Sequence, residues 1–221
     1  MHQEHFGREI TAPGLHAALI NEILLRSTTT NVLDLGCGEG AWMQRLQSCG
    51  FGELVGIDWS ADGRVSGNLT IRRGDIESDD LGLGNATFGL VSIIEVIEHM
   101  GNAGKLLSHA SRHLADDGLV LLTTPNIHSL IQRLKFLITG RFTHFDHGSD
   151  PTHYQPLLLE AWRRMLPRYG LEVATVWTYP NSNRLDGIHQ GWRYLAAMLQ
   201  PLLRNELPGE VLCILLRRVT G

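Results

Sequence analysis

Apolar runs of strand length alternate with segments of helical period from residue 14 to about residue 178, the pattern of a doubly wound α/β sheet. The first helical stretch, Gly14 to Arg26, follows the turn-like Thr11-Ala12-Pro13, and residues 27–31 lead into a strand over Val32 to Leu35. Gly36-Cys37-Gly38-Glu39-Gly40 breaks that strand. A short helix over Ala41 to Ser48 follows, then a second strand from Leu54 to Ile57 that ends at Asp58, and a weaker third strand near Leu69 to Arg72. Phe88 to Ile94 lacks polar alternation and reads as a fully buried fourth strand. Asn102 to Leu114 is a helix with Leu106, Leu107, Ala110 and Leu114 on one face, and Gly118 to Thr123 is a fifth strand stopped by Pro125 and Asn126.

The pattern changes at Ile127. IHSLIQRLKFLI reads as a helix, and the Gly, His and Asp-rich segment after it is a long loop of the kind that often carries function. A cleaner helix runs from Pro156 through Leu158, Leu159, Trp162, Met165, Leu166 and Tyr169 until Gly170 closes it. Leu171 to Thr178 is the next strand, Gly191 to Leu203 a further helix, and Glu210 to Arg217 a last apolar run entered through Pro208-Gly209. Seven strands are expected in all.

At 221 residues, with 43% hydrophobic and 19% charged residues, the chain can bury one sizeable core. One domain over residues 1–221 is expected, with 127–154 as a cap or lid-like insertion. A net charge of -4 weighs against a dedicated nucleic-acid binder, which needs a basic face. Cys37, Cys49 and Cys213 are odd in number and show no CxxC spacing, so neither a disulfide framework nor a structural zinc site is indicated. The first twenty residues have no apolar signal core, and no run approaches the length that spans a bilayer. A soluble, cytoplasmic protein is the expectation.

In a doubly wound sheet a ligand sits at the carboxyl ends of the strands, where a glycine-rich turn after the first strand admits it to the backbone. Gly36, Cys37, Gly38 and Gly40 form that turn, and Asp58, at the end of the second strand, is placed to accept both hydroxyl protons of a ribose. The pair implies an adenosine-type cofactor. The spacing is GxGxG preceded by Asp34, not the GxGxxG of dinucleotide sites, which disfavours an NAD-linked oxidoreductase.

VLDLGCGEG, GIDWS, GDIE and GLVSIIEVIEHM resemble, in order and spacing, the signature segments of class I methyltransferases that use S-adenosylmethionine. The resemblance is strong over about residues 30 to 125 and extends loosely to TTPN and HYQPLLLEAWRRMLPRYGLEV. It implies a Rossmann-like, mostly parallel sheet with an antiparallel last strand and helices on both faces. It also implies that Asp34 and the turn glycines lie against the methionine portion, that Asp58 holds the ribose, that Asp75 and Ile76 flank the adenine, and that Glu95 borders the cofactor. Trp59 either packs on the adenine face or serves only in packing.

Methyl transfer from a sulfonium chiefly requires alignment, but an oxygen nucleophile must also lose a proton, with help from a histidine or a metal ion. Glu95, Glu98 and His99 fall at i, i+3 and i+4, so a helical turn would bring them to one face at the sheet's carboxyl edge. Two carboxylates and an imidazole suit magnesium, manganese or zinc, with a fourth ligand from His144, His147 or His153. The ExxEH run is similar to one in quinone-pathway O-methyltransferases and small-RNA 2'-O-methyltransferases, where it binds a divalent metal; elsewhere in class I the segment carries none and His99 simply packs. His128, His144, His147 and His153 cluster between Asn126 and Tyr154. His99 and His153 are the candidate catalytic residues, because a histidine at the latter position recurs in the related methyltransferases.

The TTPN, RLKFLITGRF and HYQPLLLEAW segments resemble bacterial methyltransferases of glycan pathways. The expected acceptor is therefore a small molecule or saccharide, free or lipid-linked, with peripheral membrane contact through IQRLKFLI and the basic residues Arg133, Lys135 and Arg141. Metal-assisted 2'-O-methylation of RNA and a non-catalytic cofactor-binding module remain the alternatives.

Overall fold

The computed structural model describes residues 9–26, 31–181, 190–199 and 207–219. Among them, eight strands form one sheet in the order β3-β4-β2-β1-β5-β6-β8-β7. The strands are β1 (Val32–Leu35), β2 (Leu54–Asp58), β3 (Arg64–Ser66), β4 (Leu69–Arg73), β5 (Phe88–Ile94), β6 (Leu114–Pro125), β7 (Leu171–Tyr179) and β8 (Val211–Arg218). The helices are α1 (Leu15–Leu24), α2 (Ala41–Ser48), α3 (Ala103–His113), α4 (Leu130–Thr139), α5 (Leu159–Met165) and α6 (Gln190–Leu199).

The mostly parallel, doubly wound plan is the expected one, with β8 antiparallel to both β6 and β7. The strand count is eight, not seven. The additional strand, β3, is an edge piece antiparallel to β4, and its Arg-Val-Ser sequence, with Val65 exposed, carries no burial signal to reveal it. Strand β6 also starts earlier than expected, at Leu114, the residue that the helical period assigns to the preceding helix. The helix foreseen from Pro156 to Tyr169 resolves into α5 and a 3-10 turn, Leu166–Tyr169, closed by Gly170 at φ 68°. The expected continuation of α6 to Leu203 lies outside the described residues.

Burial follows the central strands. All four residues of β1 are buried because β2 and β5 flank it and helices cover both faces. On one face Leu106, Leu107 and Ala110 of α3 and Leu159 of α5 pack against Leu33, Val91 and Leu122. On the other, Leu15, Leu19 and Ile23 of α1 and Met43 and Leu46 of α2 pack against Val32, Leu90 and Leu121. Leu130, Ile131 and Leu134 of α4 form a smaller cluster with Trp192, Leu195 and Leu199 of α6. Ser129 caps α4 by accepting from the Gln132 amide at 3.3 Å, and Asn102 caps α3 in the same way from Lys105. No helix among the described residues is long and apolar enough to cross a membrane.

Candidate functional site

The carboxyl ends of β1, β2 and β5 meet at the glycine turn. Gly36 has φ 82°, and a Cβ there would lie 2.4 Å from Val96 Cγ2, so the turn closes tightly against the end of β5. Gly38, at φ 52°, has nothing within 4 Å of a notional Cβ and leaves its backbone open to a ligand. Its amide donates to Asp58 Oδ2 at 2.9 Å, while Asp58 Oδ1 accepts from the Ser60 amide at 2.8 Å and hydroxyl at 2.7 Å. Asp34, only 2% exposed, accepts from Ser92 Oγ at 2.6 Å, and Ser92 accepts in turn from Trp42 Nε1 at 3.1 Å. Burial, assisted by the nearby Asp58 charge and opposed by the Ser92 bond, pushes the Asp34 carboxyl up to about 7.

Two adjoining cavities open here. One, of about 460 Å³, is lined by Asp58, Trp59, Asp75, Ile76, Met100 and Tyr154 among others. The second, of about 450 Å³, is lined by His16, Asp34, Gly38, Glu95, Glu98 and His153 among others. Gly36, Glu95 and His99 line both, so the two compartments share a wall at the carboxyl end of β5. Trp59 is 73% exposed and presents its ring at the first cavity instead of packing in the core. An apolar wall from Ile76, Met100 and Trp59 beside two carboxylates suits a purine nucleoside.

The expected helical turn across Glu95, Glu98 and His99 does not form. Glu95 takes φ 53°, the only non-glycine residue with positive φ among those described, and its amide donates to Thr123 at 3.1 Å to the hydroxyl and 3.2 Å to the carbonyl. Such a conformation is uncommon outside glycine and concentrates at working sites. The chain then makes a 3-10 turn, Ile97–His99. Glu98 is fully buried, with Oε2 accepting from Thr124 Oγ1 at 3.2 Å. Glu98 Oε1 and Glu95 Oε1 are both buried without a hydrogen-bond partner among the described residues. Burial raises the pKa of both carboxyls, that of Glu95 to about 7, with the Glu210 charge adding to the rise at Glu95 and the Glu95 charge adding to that at Glu98.

The ligand atoms that converge belong to Glu98, His99 and His153, all within 4.8 Å of one another, and Glu95 is not one of this group. Backbone bonds bring them together. The amides of Tyr154 and Gln155 both donate to the Glu98 carbonyl at 3.1 Å, and the Tyr154 hydroxyl donates to the His99 carbonyl. The His99 and His153 rings meet edge to face at 4.5 Å.

The hydrogen bonds also set both tautomers. His153 Nδ1 faces the His144 carbonyl at 3.1 Å and must carry the proton there. Thr152 Oγ1 gives its proton to Asp150 Oδ1 at 2.6 Å, so at 2.7 Å it accepts one from His99 Nδ1. In the neutral form both rings therefore keep Nε2 as a lone pair, free to ligate a metal or take a proton. Burial, reinforced by His153, lowers the pKa of His99 and favours that neutral form.

The remaining histidines of the segment have other partners. His128 Nε2 faces the Leu157 carbonyl at 3.1 Å, where it fixes the approach to α5. His144 Nε2 lies 3.6 Å from Glu210, and His147 is exposed. Sequence reasoning did not single out Asp150, Thr152 or His16. The one available signal for the last was a histidine on the apolar face of α1, beside Leu15 and Leu19.

The profile of the methyltransferase domain family matches residues 6–176. The ubiquinone biosynthesis O-methyltransferase of Glaesserella parasuis is 28% identical over 130 residues, covering 51% of this chain and 52% of that one. A Mycolicibacterium smegmatis protein named "Probable S-adenosylmethionine-dependent methyltransferase" is 27% identical over 177 residues, covering 75% and 64%. The chain spans between 41 and 64% of the length of these and the other curated relatives it matches. The crystal structure of an S-adenosylmethionine-dependent methyltransferase from Archaeoglobus fulgidus superposes with a TM-score of 0.65 at 21% identity, covering 92% of each chain. That likeness is one of fold. The open glycine turn, the buried Asp34 and Asp58 carboxylates and the nucleoside-shaped cavity fit the cofactor, and with the family match over most of its length the chain belongs to the class I S-adenosylmethionine-dependent methyltransferases.

Proposed function

We propose that this methyltransferase acts on an oxygen of a small-molecule or saccharide acceptor, with a divalent cation held by Glu98, His99 and His153. The observation that carries the reading is the convergence of one orphaned carboxylate oxygen and two imidazole nitrogens in the compartment next to the glycine turn. A bound cation would lower the pKa of a coordinated hydroxyl. Two neutral imidazoles with one carboxylate suit manganese or zinc better than magnesium. Thr152 and Asp150 orient His99, and the His144 carbonyl orients His153. Asp34, Asp58, Asp75 and Ile76 hold the cofactor so that its methyl group points toward this corner, with Glu95 at the shared wall.

Residues 127–154 serve as the cap over the acceptor compartment, since Asp150, Thr152 and His153 line the cavities from that segment. The relative from Glaesserella parasuis, named for O-methylation in ubiquinone biosynthesis, supports an oxygen acceptor. Phe136, Leu137 and Ile138, exposed at the end of α4 ahead of Arg141, support a lipid-linked form of it at a membrane surface.

The test is incorporation of labelled methyl groups into a panel of phenols, free and lipid-linked saccharides, amines and short RNA, with and without chelation. Methylation of a hydroxyl compound that chelation abolishes and manganese or zinc restores is expected. Turnover of amines alone overturns the oxygen reading. Full activity after exhaustive chelation, retained in His153→Ala, overturns the cation. Turnover of RNA alone replaces the small acceptor with a nucleic acid.

A further inference from the structure

The two helices that pack on each other outside the main core, α4 and α6, leave large apolar side chains in the open. Leu130, Ile131 and Leu134 are buried against Trp192, Leu195 and Leu199. After Leu134 the helix runs clear of that contact, and Phe136, Leu137 and Ile138 are 48, 79 and 61% exposed. Tyr194 and Met198 of α6 are also exposed, at 74 and 68%. A single exposed leucine is ordinary, but several large apolar side chains on one pair of helices mark a surface that something covers.

The charge around them is one-sided. The chain carries 23 acidic and 19 basic residues, yet no Asp or Glu falls between Asp117 and Asp146, and none lies within α6. The first of these stretches holds Arg133, Lys135 and Arg141. Lys135 is engaged with Asp146 at 3.0 Å. Arg133 and Arg141 are exposed on either side of the apolar tip, one a helical turn before Leu137 and the other just past the Gly140 cap. We propose that the α4–α6 pair is a docking surface for an anionic lipid bilayer, with Phe136, Leu137 and Ile138 entering the acyl boundary and Arg133 and Arg141 reaching the headgroups. Side chains that stand this far out suit a fluid surface that yields around them, whereas a protein partner must supply a matching pocket for each. The tip is also braced to the candidate site. Gln132 Oε1 accepts from the Thr143 amide at 3.0 Å, Lys135 donates to Thr143 Oγ1 at 3.3 Å, and the next residue, His144, offers the carbonyl that holds His153. A bilayer at α4 therefore lies against the same segment that lines the acceptor compartment.

The docking surface shares with the proposed function only the idea of a lipid-linked acceptor, and its test needs no turnover. The experiment is sedimentation of the full chain with vesicles of phosphatidylcholine alone and of phosphatidylcholine with about one-third phosphatidylglycerol. The wild type should bind the mixed vesicles about tenfold or more tighter than the neutral ones, and lose that advantage as salt rises. Leu137→Asp combined with Ile138→Asp should weaken binding to the mixed vesicles by about 50-fold or more, and Arg141→Ala by about fivefold. Both variants change exposed side chains, so they should melt within about two degrees of the wild type and bind S-adenosylhomocysteine unchanged. A wild type that binds neither vesicle, or both equally, overturns the proposal, as does a double variant that binds as well as the wild type. So does a wild type that is dimeric without lipid while the double variant is monomeric, which makes the surface an interface between two copies. Loss of vesicle binding leaves methylation of free hydroxyl compounds untouched, and turnover of amines alone leaves vesicle binding untouched, so the docking and the acceptor reading fail separately.

Discussion

The two halves of the carboxyl edge are built on opposite rules. On the side of β1, β2 and β4, both Asp58 oxygens already accept from the protein, three bonds in all from Gly38 and Ser60, so its position is fixed before any ligand arrives while acceptor capacity remains on Oδ2. On the side of β5 and β6, Glu95 and Glu98 each keep one buried oxygen without a partner among the described residues, and Glu95 holds a backbone conformation that only a constrained surrounding sustains. The first half is pre-organised for recognition at little further cost. The second carries buried carboxyl oxygens, unsatisfied among the described residues, that a cation or a polar ligand would relieve. Asp34 is the seam, bonded to Ser92 on β5 yet sitting under the glycine turn.

Removing the Asp58 carboxylate should have the largest effect. Asp58→Ala takes away the proposed ribose acceptor and the anchor of the Gly38 amide together, and should weaken S-adenosylhomocysteine by about 100-fold or more in a calorimetric titration; a loss of only a few-fold would show that this half is not the recognition half. Gly36→Ala forces a Cβ to 2.4 Å from Val96 Cγ2 at φ 82°, and should cost ~2 to 3 kcal/mol, read as a fall in melting temperature of ~5 to 10 °C.

Asp34→Asn tests the seam through pH. The folded-state pKa of about 7 lies above the ordinary 3.8, so the stabilisation associated with the bound proton is complete below that ordinary value and is lost as pH rises through 7. Relative to the variant, the ligand-free wild type should lose ~2 to 3 kcal/mol of stability between pH 5 and pH 8. A difference that stays flat across that range would mean Asp34 does not titrate there. The smallest effect belongs to Thr152→Val, which unties His99 from Asp150; manganese affinity should fall about tenfold with little change in melting temperature, and unchanged affinity would remove Asp150 and Thr152 from the unsaturated half's design.

The two halves also differed in how far the sequence disclosed them. The pre-organised half is local, because glycines at required turn positions and an acid at a strand end sit close along the chain and leave a readable spacing. Strand β3 escaped because Arg64-Val65-Ser66 buries too little to pattern. In the other half, the ExxEH spacing named Glu98 and His99 but implied an α-helical face, and Glu95 at φ 53° followed by a 3-10 turn breaks that face. His153 is named by the resemblance and as one of three possible further ligands; what the sequence does not show is that backbone bonds from Tyr154 and Gln155 to the Glu98 carbonyl bring it, and not His144 or His147, to the pair. The same holds for Thr152 and Asp150, whose role depends on a contact across 53 residues of sequence. His16 was hidden for another reason: on an apolar helix face a histidine reads as core.

The place of β8 has a consequence for how the molecule is made. Residues 211–218 pair on one side with 119–125 and on the other with 171–179, so an interior strand of the sheet is supplied by a segment synthesised after every other strand described. Until it leaves the ribosome, β6 presents an open apolar edge and β7 has no neighbour within the sheet. Folding must then close contacts some ninety residues apart in one late step, which slows it and lengthens the interval in which that edge is open to aggregation. The methyl-transfer site, at the far ends of β1, β2 and β5, would be outlined early in synthesis but held firmly only once this strand has slotted in.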